Sequence, residues 1–323
     1  MIGKLRRDVQ ARVAGGDGEI GGEVTGCALW SGESLNSEPH IHIGTCAWSF
    51  DDWRGAFYPE HLPQAKWLEW YAHRLPAVEV DSTFYHVPTA HAAAHWHEVT
   101  PPHFRFACKL PREITHERKL RGAADALAGF LAGVEPLGEK LACVLVQLPP
   151  FFTPEHDASA LREFVRSLPG GVRFAVEFRH AGWHLPRFAH LLEEHRVCWV
   201  WSDVTALEDQ AEGAFAFQPD TADFAYVRLL GDLERKYGPD GHRVHRYREL
   251  MWPRDPGLDS WAVRIRQASA VKPVFVAVSN HYEGFAPQTC QRLAARLGWA
   301  LELPVPAEAL PGDAAPDPQL KLL

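Results

Sequence analysis

Residues 173–203 read RFAVEFRHAGWHLPRFAHLLEEHRVCWVWSD and hold one complete strand–helix–strand unit. The run 173–177 is short, apolar and β-prone, and it ends on the carboxylate of Glu177. Residues 185–195 place apolar side chains at helical spacing. The run 197–203 returns to β-branched and aromatic residues and again ends on a carboxylate, Asp203. Strands that are apolar throughout, rather than alternating, belong in a parallel sheet covered on both faces.

The same unit recurs on either side of this stretch. Strands are predicted at 41–46, 77–81, 104–109, 142–147, 173–177, 197–203, 224–228 and 273–280. Amphipathic helices are predicted at 64–73, 123–137, 158–167, 185–195, 260–270 and 286–297. Eight alternations of strand and helix predict an α/β fold, a (β/α)8 TIM barrel with eight parallel strands in a single domain. An open doubly wound sheet would carry a Gly-rich phosphate turn after its first strand, and no G-x-G-x-x-G follows residue 46. The barrel is assigned to 39–303. Residues 1–38, Gly-rich and without sustained period, read as a flexible leader, and 304–323, with five prolines, as a tail that no helix can span.

The bulk properties narrow the function. A 46% hydrophobic content supplies a large core, and a net charge of -8 disfavours a nucleic-acid partner, which needs a basic face against phosphates. No apolar run approaches the ~18 residues of a membrane span, and residues 1–16 have no apolar signal core. The six cysteines include no C-x-x-C pair and four sit in strand-like runs, the pattern of buried thiols in a reducing compartment. The cytoplasm is the expected location.

The strand ends carry the chemistry. In order they are Thr45, Asp81, Lys109, Gln147, Glu177, Asp203, Arg228 and Asn280. Their spacings run from 25 to 38 residues, one unit each, except the last of 52, which contains an insertion. In a barrel these ends meet at one mouth, where the active sites of this fold lie. Lys109, Arg179 and Arg228 set against Asp81, Glu177 and Asp203 make three cations and three anions, a balance that burial requires. Trp48, with the aromatic run around it, and Tyr85 read as a wall for substrate stacking or as an apolar lid. His116 and His281 follow strand ends and are placed to carry protons or bind substrate. His91, His95 and His97 share a helix but lack the glutamate of an H-E-x-x-H zinc site, so no structural zinc is expected.

Around these residues the sequence resembles the YecE-like family, also called domain of unknown function 72. The resemblance rests on Gly44-Thr45 with Trp48-Ser49, Trp53 and Phe57-Tyr58-Pro59; on Glu79 to Tyr85 with Pro88; and on Trp96, Thr100-Pro101 and Phe104. It continues through Lys109, Thr115-His116, Gln147 to Pro150, Glu177 to His180 with Trp183, Tyr226 to Arg228 with Gly231, and Asn280-His281. It implies a TIM barrel and a site at these positions, and no particular reaction. The chain departs from the family pattern at Asp81, where Asn is usual, at Leu230, where His is common, and at Ser279, where a first Asn is usual.

The expected function is therefore an enzyme that hydrolyses or rearranges a small polar substrate bearing sugar or phosphate groups. Glu177 would be the acid or base, Asp81 a second carboxylate, and Lys109, Arg179 and Arg228 the holders of negative charge. Gln147, Asn280, Tyr85, Trp48, His281 and His116 would bind substrate. No cofactor is assigned. The alternatives are a metal-dependent phosphodiesterase or nuclease-like barrel, with a divalent ion on Asp81, Glu177, Asp203 and His281, and a barrel that binds a small molecule without turnover.

Overall fold

Nearly continuous apolar runs become nine strand segments among the described residues, and all of them pair in parallel. They are β1 (Ile41–Thr45), β2 (Ala77–Val80), β3 (Arg105–Lys109), β4 (Leu141–Gln147), β5 (Phe174–Glu177), β6 (Cys198–Trp199), β7 (Trp201–Ser202), β8 (Ala225–Leu229) and β9 (Val274–Val278). The computed structural model describes residues 41–203, 217–235, 237–239, 244 and 246–303. The leader and tail expected at 1–38 and 304–323 lie outside these residues.

The nine segments form one sheet in the order β6-β5-β4-β3-β2-β1-β9-β8-β7. Its two terminal segments, β6 and β7, are separated in the chain by one residue, Val200, so the sheet curls into a nearly closed barrel. The sequence predicts one strand over 197–203, whereas the structure divides it. The reason is local. The Thr221 hydroxyl lies 2.7 Å from the Trp199 amide and 2.6 Å from the Val197 carbonyl, filling the edge that β8 would otherwise pair. Before Val200 the chain pairs with β5, and after it with β8.

Helices fill the outer layer: α1 (Trp67–Ala72), α2 (Ala90–Glu98), α3 (Ala124–Val134), α4 (Pro154–Ser167), α5 (Pro186–Glu194), α6 (Asp255–Ser269), α7 (Asn280–Glu283) and α8 (Ala286–Leu297). The larger core cluster joins helix residues such as Phe130, Leu161, Trp261 and Leu293 to outward strand residues such as Val144, Val176 and Val276. The opposite parity of the same strands supplies a second cluster, including Ala107, Cys143, Leu145, Ala175, Tyr226 and Ala277. Side chains two apart on a strand share a face. That second series, extended towards the strand ends, therefore carries Lys109, Gln147, Glu177 and Arg228 inward. Gly44 lets β1 and β2 close up: a Cβ there would stand 1.8 Å from the Ala77 carbonyl oxygen.

Candidate functional site

A guanidinium stands at the centre of the strand ends. Arg228, on β8, donates from Nε to Glu79 Oε2 at 2.8 Å and from Nη2 to Glu79 Oε1 at 2.6 Å, a two-pronged bond to β2. Its Nη1 donates to Glu177 Oε2 on β5, and Arg179 Nε pairs with the other oxygen of Glu177. The Tyr226 hydroxyl donates to Glu79. Glu79, Glu177 and Arg228 are 1%, 1% and 2% exposed, and at such depth each charge requires its partner.

The two carboxylates titrate in opposite directions. Burial raises the Glu79 carboxyl above its ordinary range, more than Arg228 lowers it. Burial also pushes Glu177 up, but the Arg179 and Arg228 guanidiniums together outweigh it and hold the carboxyl below its ordinary range. The sequence reading expects Glu177 to be the acid or base; in the structure it stands between two arginines. Two guanidiniums beside the carboxyl favour its charged form, and Glu177 in turn holds both arginines.

A cavity of about 380 Å³ opens at these ends, lined among others by Asp81, Lys109, Gln147, Arg179 and Arg228. Lys109 Nζ lies 3.2 Å from Asp81 Oδ1 and 4.5 Å from the centre of the Phe84 ring. The Thr83 hydroxyl, 2.7 Å from the carbonyls of both Val80 and Lys109, ties the turn after β2 to the end of β3. Gln147 is the register partner of Glu177 and donates to the Leu148 carbonyl at 3.1 Å. Among the described residues, Glu177 is the protein partner of Arg179, leaving that side chain's terminal nitrogens for whatever enters.

Asn280, His281 and Tyr247 also line the cavity. The sequence places Asn280 on the last strand; the structure makes it the first residue of α7, two residues beyond β9. Its Oδ1 accepts from the Ala286 amide at 3.0 Å, while its buried Nδ2 has no partner among the described residues. The His281 ring lies 3.3 Å from the Tyr247 hydroxyl, and burial lowers its imidazole below the usual range, against the pull of Asp232. His116 stands beside the cavity, 2.8 Å from the Thr115 hydroxyl and edge-on to Phe84. Burial, with Lys109, Arg112 and Arg179 adding to it, pushes its imidazole down to about 4.

Two residues of the expected aromatic wall stand elsewhere. Trp48 packs edge-on against Trp96, with ring centres 5.6 Å apart, and Tyr85 is 69% exposed; neither lines the cavity. Asp203 is fully engaged. It accepts from the Leu230 amide at 2.5 Å and the Gly231 amide at 3.2 Å, and pairs with Arg254 at 3.1 Å. Glu177 and Asp203 thus spend their oxygens on guanidiniums and amides, and no group of three His, Cys, Asp or Glu among the described residues could hold a metal ion. Of the departures from the family pattern, Asp81 pairs with Lys109, Leu230 presents its amide to Asp203, and the Ser279 hydroxyl accepts from the His281 amide at 3.2 Å.

Glu79 is the charge that reading only strand ends overlooks. The signal is in the sequence: a carboxylate inside the run Ala77-Val78-Glu79-Val80, on the same parity as Asp81.

Comparison with known proteins bears on the family and the fold. Residues 42–314 match the family model described as "Protein of unknown function DUF72". The UPF0759 protein YecE of Escherichia coli (strain K12) is 34% identical over 140 residues, 43% of this chain and 48% of that protein. The match thus spans about half the length of YecE. The UPF0759 protein YunF of Bacillus subtilis (strain 168) is 27% identical over 258 residues, 76% of this chain and 90% of YunF. Among solved structures, a DUF72 family protein from Thermotoga maritima MSB8 superposes with a TM-score of 0.67 at 27% identity, covering 80% of this chain and 99% of that one. With its family model matched from β1 to beyond α8, this chain belongs to the DUF72 family, which includes the YecE-like proteins.

Proposed function

We propose that this protein is a (β/α)8 TIM-barrel enzyme, its sixth strand interrupted at Val200, that hydrolyses or rearranges a small hydroxyl-bearing substrate with a phosphate or carboxylate group. One observation carries the reading. Lys109, Arg179 and Asn280, at or just beyond the ends of three different strands, line one cavity, and each side chain carries hydrogen-bond donors. Preorganised donors of this kind stabilise negative charge on a bound group or in a transition state. His281, kept largely neutral and touching Tyr247, is the proton carrier this geometry favours, with Asp81 as the second. Glu79 and Glu177 hold the arginines in place. The five described cysteines are free and buried, which suits the cytoplasm as the site of action. No helix among the described residues is long and apolar enough to cross a membrane.

Titration calorimetry with inorganic phosphate at low ionic strength tests the reading. Binding that weakens about tenfold or more in Lys109→Met, with the unfolding midpoint little changed, is the expected result. No heat of binding at millimolar phosphate would overturn it. Phosphate binding without turnover of any sugar phosphate or phosphate ester would leave a binding barrel rather than an enzyme.

A further inference from the structure

Next to the cationic wall of the cavity runs a strip of rings. Phe84 is its hinge: the Lys109 ammonium sits 4.5 Å from its centre, Tyr85 stacks edge-on at 5.1 Å, and His116 at 4.9 Å. His116 in turn meets Phe151 edge-on at 6.2 Å. Tyr85 and Phe151 are 69% and 55% exposed, and Val87, two residues after Tyr85 in the chain, is 45% exposed. These residues come from the segments after β2, β3 and β4, the strands whose ends supply Asp81, Lys109 and Gln147 to the cavity.

We infer that this strip is the second half of the substrate site and takes a flat ring attached to the anionic group that the cavity holds, so that the substrate is a ring-bearing phosphate or carboxylate such as an aryl phosphate. The inference rests on the anion reading of the cavity. Continuity argues for it, because Lys109 contacts both the cavity and Phe84, placing an anion at Lys109 one ring-width from the strip. Size argues against a protein partner: three exposed apolar side chains fall far short of the ~20–30 residues a side of a standard interface. The imidazole of His116, pushed down to about 4 chiefly by burial, is uncharged at neutral pH and offers a ring among rings. Edge-on and offset contacts to such rings are favourable beyond the apolar area they bury.

The test compares inorganic phosphate, ethyl phosphate and phenyl phosphate by calorimetry on the full chain. Phenyl phosphate should bind about tenfold more tightly than ethyl phosphate. In the double variant Tyr85→Ala, Phe151→Ala that ratio should fall to near one. Equal affinity for phenyl and ethyl phosphate, or a ratio that survives in the double variant, overturns the strip while phosphate binding leaves the anion reading standing. If none of the three binds, the anion reading fails, and the strip fails with it.

Discussion

Glu177, which the sequence reading makes the acid or base, stands in the structure between two guanidiniums. It ends a strand, as a catalytic carboxylate of a barrel does, yet its two oxygens face Arg179 and Arg228. Glu177→Gln leaves two buried guanidiniums short of one charge and should cost about 3–5 kcal/mol in urea unfolding at pH 7. Lys109→Met should cost less than about 1 kcal/mol, because its partner Asp81 is 35% exposed. A Glu177→Gln variant as stable as the parent would return Glu177 to the list of proton carriers. The pH dependence has a definite sign. The folded Glu177 carboxyl lies below its ordinary value of 4.5, so the unfolded chain takes up the proton first and stability falls as pH drops below that value. His116, pushed down to about 4, adds an acid loss of the same sign between 6.5 and 4. Glu79, raised by burial, works the other way and softens the decline. Urea midpoints followed from pH 7 to 3 should converge for the parent and Glu177→Gln.

The elements were legible wherever a strand was covered on both faces, as the apolar runs of β4 and β9 are, and helix α8 lies where the apolar spacing of 286–297 puts it. Propensity could not show the break at Val200, since Trp199 and Trp201 are as β-prone as their neighbours. A hydroxyl 22 residues downstream makes it. Thr221→Val keeps the shape and removes both bonds, leaving the Trp199 amide and the Val197 carbonyl unpaired at a cost of about 1–3 kcal/mol for each. Hydrogen exchange of the Trp199 amide should accelerate with it. An unchanged rate would mean that another group takes over the edge. Short α7 escaped notice for a different reason: four residues carry no periodicity, and its first turn is set by the Ser279 hydroxyl and closed by Gly284.

At the scale of the molecule, listing strand ends located the mouth because parallel strands all finish on the same side. It found Lys109, Gln147, Glu177 and Arg228, which share the inward parity, and it missed Glu79, which sits one step back on that parity. It also named Trp48 and Tyr85, which follow strand ends: Trp48 packs against the core, and Tyr85 stands exposed in the strip of rings beside Phe84. Arg228 joins β2, β5 and β8, strands spread around the sheet, and its bonds to Glu79 and Glu177 reach across 149 and 51 residues of chain. That distance has a consequence during synthesis. Glu177 leaves the ribosome two residues ahead of Arg179, but the guanidinium and phenol that hold Glu79 both arrive on β8. Until residue 228 has emerged, the growing chain carries at its centre a carboxylate that must keep either a proton or its water. The first five strands therefore cannot dry their shared interior in advance, and the late arrival of a single arginine decides when the whole chain can commit to its fold.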